Sequence, residues 1–349
     1  MRRALVAMVV VGLVMVVGAG PALACGGLIG RNGAVNLERT TTLAAYKDGV
    51  EHYVTSFEFN GAGGEFGSIV PLPGVPTNVE RGGDWTLQRL VREVNPVVQE
   101  AGDSAFRATA AAAPARELIN TSIDALDITV LEGGGRAVGD WAREHGFLLP
   151  PDSPEVLDFY AKRSPIFMAA RFNGEAAAVR GTSIGDGTPI HLTIPTPNPW
   201  VPLRILALGQ DPEAIVEADV FLLTEQQPAL LPAGNNGGFE LDRSEAASDS
   251  LLADLRSDKG MEWMPSSMWL SHLKIDSPAS ALKYDLAVDV NGFAPSPRAA
   301  GLPGALLPPI VSKTDLNGAL VVSLFVGAAF LLMGAYVVGR SGRRAPLNI

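Results

Sequence analysis

Hydrophobic residues form uninterrupted runs near both ends of the chain, whereas between these runs they alternate with polar residues. The first run covers residues 4–17, follows the basic start MRR and leads into the letters PALA before Cys25. A basic start, a short apolar core and an A-x-A ending are typical of a secretory signal peptide. We therefore predict a signal peptide over residues 1–24, with cleavage between Ala24 and Cys25.

Cys25 is the only cysteine in the sequence, so the chain cannot form an internal disulfide. A lipoprotein peptidase would cut the same bond and leave this cysteine acylated. Its usual recognition sequence has a large aliphatic residue three positions before the cysteine and a small one two positions before, but Ala22 and Leu23 stand in the reverse order. The sequence favours an unlipidated Cys25, with acylation as the open alternative.

The second run, residues 318–338, contains 21 residues and no charge. As a helix it would be ~31 Å long, which matches the ~30 Å hydrocarbon core of a bilayer. Arg340 and two further arginines follow it, and basic residues mark the cytoplasmic side of membrane helices. We predict a transmembrane helix over residues 317–338, a short basic cytoplasmic tail over residues 339–349, and a single-pass protein of the cell membrane whose N-terminal domain is extracytoplasmic.

Small residues line one face of this predicted helix at spacings of four, four and seven, namely Ala319, Ser323, Gly327 and Gly334. Such faces let membrane helices approach closely. Because single-pass helices often carry such residues without dimerising, a homodimer through the transmembrane helix stays an open alternative.

Between the two runs, patterns of period two outnumber helical patterns. A hairpin is predicted by strands over residues 40–46 and 50–59 around the turn Lys47-Asp48-Gly49. Further strands are predicted from Glu65 to the following prolines and over residues 128–131, 165–172, 189–194, 201–208, 216–223, 268–276 and 281–290. Helices are predicted from Asp84, after the glycines at 133–135, from Ser153 and over residues 250–256. The predicted fold class is α+β, a strand-rich extracytoplasmic region with interspersed helices, plus one C-terminal transmembrane helix.

Changes in composition divide the chain further. Residues 25–292 are predicted to form the extracytoplasmic α+β domain. Within it, residues 95–118 include the low-complexity stretch RATAAAAPAR and are predicted to be an internal linker. Residues 293–316 contain repeated prolines and are predicted to be a stalk that reaches the membrane.

The region between the two apolar runs is acidic. It contains all 37 Asp and Glu residues but only 22 of the 27 Lys and Arg residues, which gives a formal charge of −15. Nucleic-acid binding requires clustered basic residues, so the sequence predicts no nucleic-acid partner. An acidic balance of this kind keeps an exported domain soluble.

Residue types that could carry chemistry occur without the spacing of known sites. No H-x-x-H or H-E-x-x-H spacing joins the four histidines, which are His52, His145, His191 and His272. Residue types of a catalytic triad occur together at Ser266, Ser267, Ser271, His272 and Asp276. Because no G-x-S-x-G elbow precedes them, solvated strand residues explain this group better than a triad does.

Two weaker patterns point to other chemistry. Glu58 and Glu65 flank a glycine-rich turn, and paired carboxylates can hydrolyse glycosidic bonds. Gly133-x-Gly135 follows a predicted strand as in a dinucleotide-binding loop, but Val138 stands where the third glycine belongs. Neither pattern is specific, so the sequence predicts no catalytic, cofactor-binding or metal-ligating residue and no cofactor.

Prolines and an aromatic residue occur together in the stretch IPTPNPWVPLR. Trp200, between Pro199 and the pair Val201-Pro202, could present a rigid apolar surface to a partner. The alternative is that the prolines end edge strands and Trp200 packs in the core. The pattern favours the core and leaves Trp200, Pro199 and Pro202 as a candidate interaction surface.

Four stretches of the chain occur in an order that is shared with a known family. They are CGG after the predicted cleavage site, DGVEHYVTSFEFNGAGGEFGSIVPLPGVP, WAREHGFLLPPDSPEVLDFYAKRSPIFMAARF and GTPIHLTIPTPNPWVPLRILALG, and together they span most of residues 25–225. In these stretches the chain resembles an uncharacterised bacterial exported family, domain of unknown function 2330. The family commonly has a second cysteine near the position of Gly30, so any disulfide of the relatives is absent here. The resemblance implies a signal-led, often membrane-tethered exterior domain and supplies no activity, substrate or catalytic residue.

Two hypotheses about function follow from the sequence. The first is a membrane-anchored extracytoplasmic protein without enzymatic activity, a binding or envelope-interaction module whose partner is an envelope protein or a glycan. The second is a cell-envelope hydrolase with an unrecognised active site. A deep pocket that holds mutually hydrogen-bonded titratable groups would favour the hydrolase.

Overall fold

The computed structural model of the protein describes residues 27–30, 36–60, 66–94, 115–173, 188–233, 236–291 and 294–303, together with residues 176 and 179. Of residues 27–30, 36–39, 57–60 and 66 only the backbone is described. All described residues belong to one unit of the chain, which ends at Gly304. The predicted signal peptide with Ala24, Cys25 and the predicted transmembrane helix lie outside the described residues.

Strands make up most of the regular structure in these ranges. In chain order they are β1 (Gly27–Gly30), β2 (Asn36–Lys47), β3 (Val50–Asn60), β4 (Phe66–Leu72), β5 (Asn78–Arg81), β6 (Arg116–Ile123), β7 (Leu126–Glu132), β8 (Ile166–Phe172), β9 (Ile190–Pro195), β10 (Trp200–Val201), β11 (Ile215–Thr224), β12 (Ala229–Leu231), β13 (Phe239–Ala246), β14 (Trp269–Pro278) and β15 (Leu286–Asp289). The α-helices are α1 (Thr86–Val94), α2 (Gly135–Glu144), α3 (Ser153–Ala161), α4 (Asp249–Ser257) and α5 (Pro297–Ala300), and short 3₁₀ helices cover Arg204–Ala207 and Ala279–Ala281.

The strands form three sheets. Sheet A has the order β1-β4-β8-β7-β6 and is antiparallel throughout. Sheet B has the order β13-β14-β11-β2-β3-β9-β5 and is antiparallel except for the parallel pair β2 and β11. Sheet C is small, with the order β10-β15-β12. The fold is therefore strand-rich α+β, as the sequence pattern predicted.

Sheets A and B pack face to face, and β11 shows how the pattern of residues achieves this. Its residues Val220 and Leu222 enter a central core that also holds Met168 of sheet A. Its residues Phe221 and Leu223 point to the outer face of sheet B, where α1 and α4 pack. Because both faces of this strand are buried here, residues 220–223 of β11 are all hydrophobic, unlike a strand with one face in water.

The outer face of sheet A is covered by α2 and α3. Trp141 of α2 and Tyr160 of α3 share a core with Phe167 of β8. The two helices approach closely at Gly135, where a Cβ atom would lie 2.5 Å from the backbone nitrogen of Asp158. This glycine therefore serves helix packing, and the described domain has four layers in the order α-β-β-α.

The first turn of α1 is capped from a distant part of the chain. Asp258, which follows α4 and is 2% exposed, accepts hydrogen bonds from the backbone N–H groups of Asp84 and Trp85, at 3.1 Å and 3.0 Å, and from the Thr86 hydroxyl at 2.8 Å. Asp84 and Trp85 directly precede α1, so this carboxylate fixes the entry of the chain into the helix, and its negative charge lies at the helix N-terminus, where it is favourable. The segment after α4 and the helix α1 are thereby linked.

The hairpin and most of the other predicted elements are confirmed. β2 and β3 pair through a turn in which Asp48 and Gly49 have positive φ values of 51° and 80°. Confirmed strands also cover the predicted regions around β4, β7, β8, β9, β11 and β14, and the predicted helices correspond to α1, α2, α3 and α4. Local periodic patterns were sufficient for these elements. The predicted caps are wrong, because Asp258 and not Asp84 binds the start of α1, and the Ser153 hydroxyl donates to the Pro150 carbonyl at 2.7 Å.

Two predicted strands are wrong over most of their length. Residues 201–208 form strand only at Val201 and then turn into a 3₁₀ helix, because Asp285 accepts the backbone N–H groups of Leu203 and Arg204 at 2.8 Å and 2.9 Å. Residues 281–290 form strand only at β15. A buried side chain from elsewhere in the fold has redirected the backbone, which no local pattern can reveal.

Parts of the predicted linker and stalk belong to the domain. Residues 116–118 of the predicted linker begin β6, which pairs with β7, whereas residues 95–114 lie outside the described residues. Residues 297–300 of the predicted stalk form α5. Its residues Ala299 and Ala300 are buried in the core that α2 and α3 form with the outer face of sheet A. The domain thus extends beyond residue 292.

Within the described ranges, no helix has the length and apolar character needed to cross a bilayer.

Candidate functional site

Two histidines that are far apart in the sequence meet on the outer face of sheet B. In β3, Tyr53 enters the central core, so the alternation of side chains turns His52 to the outer face. In β9, Ile190 and Leu192 enter the central core, so His191 also points outward. β3 and β9 are neighbours in the sheet. We call His52 and His191 the histidine pair.

The histidine pair continues a chain of polar groups that begins at a carboxylate. The Nδ1 atom of His52 lies 3.0 Å from Nε2 of His191 and is hydrogen-bonded to it. The Nδ1 atom of His191 lies 3.1 Å from Oε1 of Glu80 in β5, which is ion-pair distance without hydrogen-bond geometry. The Glu80 side chain is 45% exposed, whereas that of His191 is 1% exposed. This row of polar groups, from Glu80 through His191 to His52, therefore leads from solvent into the layer between sheet B and the helices that cover it.

An indole ring lies against the histidine pair. Trp263 stacks on His52 with ring centroids 3.8 Å apart and planes inclined by 7°, and its centroid lies 5.2 Å from that of His191. Trp263 belongs to residues 258–268, which join α4 to β14 and which we call the covering segment. The covering segment is fixed by buried methionines, namely Met261, Met264 and Met268.

Both rings of the histidine pair are neutral at pH 7. Burial lowers the pKa of His52 to about 4, an effect to which His191 adds and which Glu80 partly opposes. Burial alone lowers the pKa of His191 to about 4. A hydrogen bond between two imidazole nitrogens requires that one of them keeps its lone pair, so neutrality and geometry agree.

A third histidine lies on the same face of sheet B, nearer the opposite edge. His272 of β14 is 2% exposed, with Nε2 at 2.8 Å from Oδ1 of Asp219 and Nδ1 at 2.9 Å from Oδ2 of Asp242. Its ring also stacks on Phe221, with centroids 4.7 Å apart. Both ring nitrogens are engaged by carboxylates on neighbouring strands, so His272 ties β11, β13 and β14 together.

The triad residue types around His272 do not assemble into a catalytic triad. Ser271 points to the opposite face of β14, because successive residues of a strand alternate. Ser266 and Ser267 are exposed in the covering segment, and Asp276 is exposed near the end of β14. The prediction that His272 is a solvated strand residue is wrong, since it is buried between two carboxylates.

A buried ionic cluster fixes α3 to the segment after β10. Asp285 is fully buried and accepts hydrogen bonds from the Tyr160 hydroxyl at 2.8 Å and from the backbone N–H groups of Leu203 and Arg204. It also pairs with the guanidinium group of Arg163. Four donors from two parts of the chain satisfy one carboxylate, which is the arrangement of a structural crosslink.

Trp200 packs beneath this cluster. It is 3% exposed, Pro199 and Pro202 are also buried, and the guanidinium carbon of Arg163 lies 4.7 Å from the centroid of the indole ring. The burial of Trp200, Pro199 and Pro202 argues against an interaction surface at this position. It agrees with the alternative in which Trp200 packs in the core.

Glu51 is buried between the sheets without a charged partner. It is 1% exposed, and neither of its carboxyl oxygens has a hydrogen-bond partner among the described residues. Burial raises the pKa of Glu51 to about 8. The backbone of Trp200 lowers this pKa, but by less than burial raises it. The carboxyl group is therefore mainly protonated at pH 7.

The other sequence patterns do not add a site to the described residues. Within the described ranges, no group of three or more His, Cys, Asp or Glu side chains is arranged to hold a metal ion. His145 stacks on Trp141, with ring centroids 3.9 Å apart, and its Nδ1 bonds to the Trp141 carbonyl. The side chain of Glu58 and the whole of Glu65 lie outside the description.

Comparison with known proteins identifies the family. Residues 19–236, more than half of the chain, match a family described as an uncharacterized protein conserved in bacteria, domain of unknown function 2330. The chain belongs to this family. No curated protein matches it. Among solved structures, the crystal structure of baculovirus P35 is similar at a TM-score of 0.40 and 11% identity, over 73% of this chain and 97% of that chain, a likeness too small to carry an argument.

The family match and the histidine site overlap only in part. His52, Glu80 and His191 lie within the matched residues, whereas Trp263 lies beyond them. Sequence reasoning missed this site because the two histidines are 139 residues apart and share no spacing motif. The strand order β3-β9-β5, which no local pattern encodes, brings them together.

Proposed function

We propose that this member of the family is exported and anchored in the cell membrane by a single helix, with the α+β domain outside as a binding or envelope-interaction module. Export is supported by the basic start, apolar run and A-x-A ending of residues 1–24. The anchor is supported by the uncharged residues 318–338 and the arginines that follow them. In this proposal residues 339–349 are cytoplasmic.

The observation that carries the proposal is the short distance in sequence between the last element of the domain, α5, and the predicted transmembrane helix. Arg163, two residues after α3, donates to the Ala299 carbonyl of α5 at 2.5 Å, and Arg298 donates to the Lys162 carbonyl at 3.0 Å. Residues 304–316 lie between the last described residue, 303, and the predicted helix, and 13 residues span at most ~45 Å when fully extended. An anchored domain would therefore work within that distance of the membrane, which fits an envelope protein or a glycan close to the membrane as partner.

The hydrolase alternative would use the row of interacting side chains Glu80, His191 and His52 as its catalytic groups. An acid–base catalyst works best when its pKa is close to the working pH. With a pKa of about 4, His52 would be a weak base at neutral pH. His272 and Asp285 are engaged in structural crosslinks, so neither supplies a further acid–base group for this alternative.

Topology is the first test of the proposal. A reporter fused after Ile349 should be active only in the cytoplasm, and protease added from outside should remove the mature domain. The double variant Phe325→Arg, Ala329→Arg should release the domain from membranes, because two charges in the hydrocarbon core are costly. The matched control Phe325→Leu, Ala329→Leu should keep it there. A full-length chain in the cytosol with its leader uncut would overturn the proposal.

Processing of the N-terminus is the second test. Mass spectrometry of the mature protein should show Cys25 as the first residue with a free amine. The variant Ala22→Asp, Ala24→Asp should accumulate as precursor, whereas Leu23→Ser, between the two small residues, should be cleaved normally. An acyl chain on Cys25 would replace the free amine by a lipid anchor. Crosslinking in membranes would show whether the transmembrane helix forms the homodimer that its small residues permit.

A further inference from the structure

We propose that the histidine pair is a proton-operated latch, which holds the covering segment on the outer face of sheet B and releases it in acid. The proposal stands on the contacts of His52, His191, Glu80 and Trp263, which do not depend on the topology of the chain in a membrane. The proton is the ligand, and the covering segment is the element that responds.

The contacts fix which nitrogen carries each proton. A neutral imidazole has one N–H donor and one lone pair. Oε1 of Glu80 lies 3.1 Å from Nδ1 of His191, and a lone pair on this nitrogen would be repelled by the carboxylate oxygen, so the electrostatics place the proton of neutral His191 on Nδ1. His191 then presents the lone pair of Nε2, and His52 must donate to it from Nδ1. The Nε2 atom of His52 is left with a free lone pair.

The first proton therefore binds to Nε2 of His52. This step leaves the hydrogen bond between the rings intact, because Nδ1 of His52 still donates. It also places a cation against the face of Trp263, which is a favourable contact. The first protonation is thus tolerated, and the latch stays closed.

The second proton must bind to Nε2 of His191, and this step opens the latch. Two N–H groups would then face each other across the 3.0 Å that separates the rings, and two imidazolium ions would share one buried site. The contact between the histidines has to break. The rings that face Trp263 then separate, so the indole loses the surface on which it stacks.

No other described charge offsets this repulsion within the site. The residues opposite His52 in the neighbouring strands are Ala45 and Thr193, which are uncharged. The charges that act on His52 are those of His191 and Glu80. In the covering segment, Lys259 and Glu262 are exposed to solvent, and Asp258 is turned toward the start of α1. Glu80 can neutralise one imidazolium ion but not two.

Release of the covering segment would also remove contacts that stabilise α1. Asp258 at its start caps the first turn of α1, with the Thr86 hydroxyl at 2.8 Å. Met261 and Met264 of the segment are buried in the same outer core as Leu87 of α1. The latch therefore couples the protonation of two histidines to the order of one segment and of the helix that it caps.

Hydrogen exchange of the full chain in detergent tests the latch directly. After correction for intrinsic rates, we expect exchange in residues 258–268 and in the first turn of α1 to rise roughly tenfold as pH falls from about 7 to about 4, while β7 and β8 keep their protection. Equal protection of the segment at both pH values would overturn the proposal. So would simultaneous loss of protection in β7 and β8, because the whole domain would then be unfolding.

Variants separate the latch from general acid sensitivity. In His52→Gln, His191→Gln the exchange of the covering segment should no longer depend on pH. His145→Gln is the matched control, since His145 also stacks on a tryptophan but bonds to a backbone carbonyl, and it should behave as the wild type. A pH dependence that persists in the double variant would contradict the latch. If the double variant does not fold, ¹⁵N shifts of the wild-type rings decide, because Nε2 of His52 must be the first nitrogen to take up a proton.

Discussion

Glu51 and His52 are adjacent in the chain, yet they lie in separate layers of the molecule. Glu51 points between the sheets and His52 points to the outer face of sheet B, because strand residues alternate. Burial raises the pKa of Glu51 to about 8 and is the largest cause that lowers the pKa of His52 to about 4. The comparison shows that burial opposes charge of either sign, so both groups are kept neutral near pH 7.

The two sites have opposite consequences for stability. Between pH 4.5 and about 8 the folded state holds the Glu51 proton more tightly than the unfolded state, so stability falls as pH rises through this range. Between about pH 4 and pH 6.5 the folded state binds fewer protons at the histidine pair than the unfolded state, so stability falls as pH decreases. Between about pH 4.5 and pH 6.5 the two sites therefore act on stability in opposite directions.

The largest expected effect comes from removing the buried acid. A pKa raised from 4.5 to about 8 corresponds to a destabilisation on the order of 5 kcal/mol above pH 8. We expect Glu51→Gln to remove this loss, so that the free energy of unfolding in urea no longer falls from pH 5 to pH 9. Glu240→Gln, at an exposed position of β13, is the control and should leave the loss in place. The same slope in Glu51→Gln as in the wild type would show that Glu51 is charged in the folded protein.

The next effect tests whether burial causes the shift at the histidine pair. Trp263→Ala opens the outer face above His52, so the pKa of His52 should rise toward 6.5, at a cost in stability of about 2–3 kcal/mol. Trp263→Phe keeps an aromatic ring over the histidine and should keep the pKa low. NMR titration of the ring protons measures both. An unchanged pKa of His52 in Trp263→Ala would mean that a cause other than burial lowers it.

A somewhat smaller effect is expected from the pair itself. Because His52 keeps part of its surface in solvent, the acid-side loss of stability for the pair is discounted to about 2 kcal/mol between pH 6.5 and pH 4. The double variant His52→Gln, His191→Gln should lack this loss in urea titrations at several pH values. His145→Gln should retain it. If the double variant and the wild type lose stability alike, other groups govern the acid side.

The smallest effect distinguishes the role of Glu80. Its carboxylate favours the charged form of His52, so Glu80→Gln should lower the pKa of His52 further, by a few tenths of a pH unit for a half-exposed partner. The exposed Glu262 lies beside Trp263 in the sequence, and Glu262→Gln should leave the pKa of His52 unchanged. A rise in the pKa of His52 in Glu80→Gln would show that the Glu80 carboxylate does not stabilise the charged form of His52.

Local information predicted the elements of this fold but not their assembly. The hairpin of β2 and β3 follows from alternation and from the turn at Asp48 and Gly49. That β4 leaves this hairpin and joins sheet A depends on its pairing with β8, nearly a hundred residues later. The missed strands β6 and β13 have mixed polar patterns, because both are edge strands with much of their surface in water.

The histidine site was beyond the reach of sequence reasoning for the same physical reason. Each of its residues is ordinary in its local context, and the chemistry arises only when β3, β9 and β5 become neighbours. Trp263 is brought to them by the covering segment, which belongs to another part of the chain. By contrast, the signal peptide and the transmembrane helix are predicted from length and composition alone, and both stay predictions because they lie outside the described residues.

One NMR titration of the wild-type protein tests the central claim, that burial on both faces of β3 keeps adjacent groups of opposite type neutral. With ¹³C-labelled glutamate and histidine, the Glu51 carboxyl should titrate near pH 8 and the His52 ring near pH 4, so that the acid titrates above the base. Titration of Glu51 near 4.5 and of His52 near 6.5, the values of exposed groups, would contradict it.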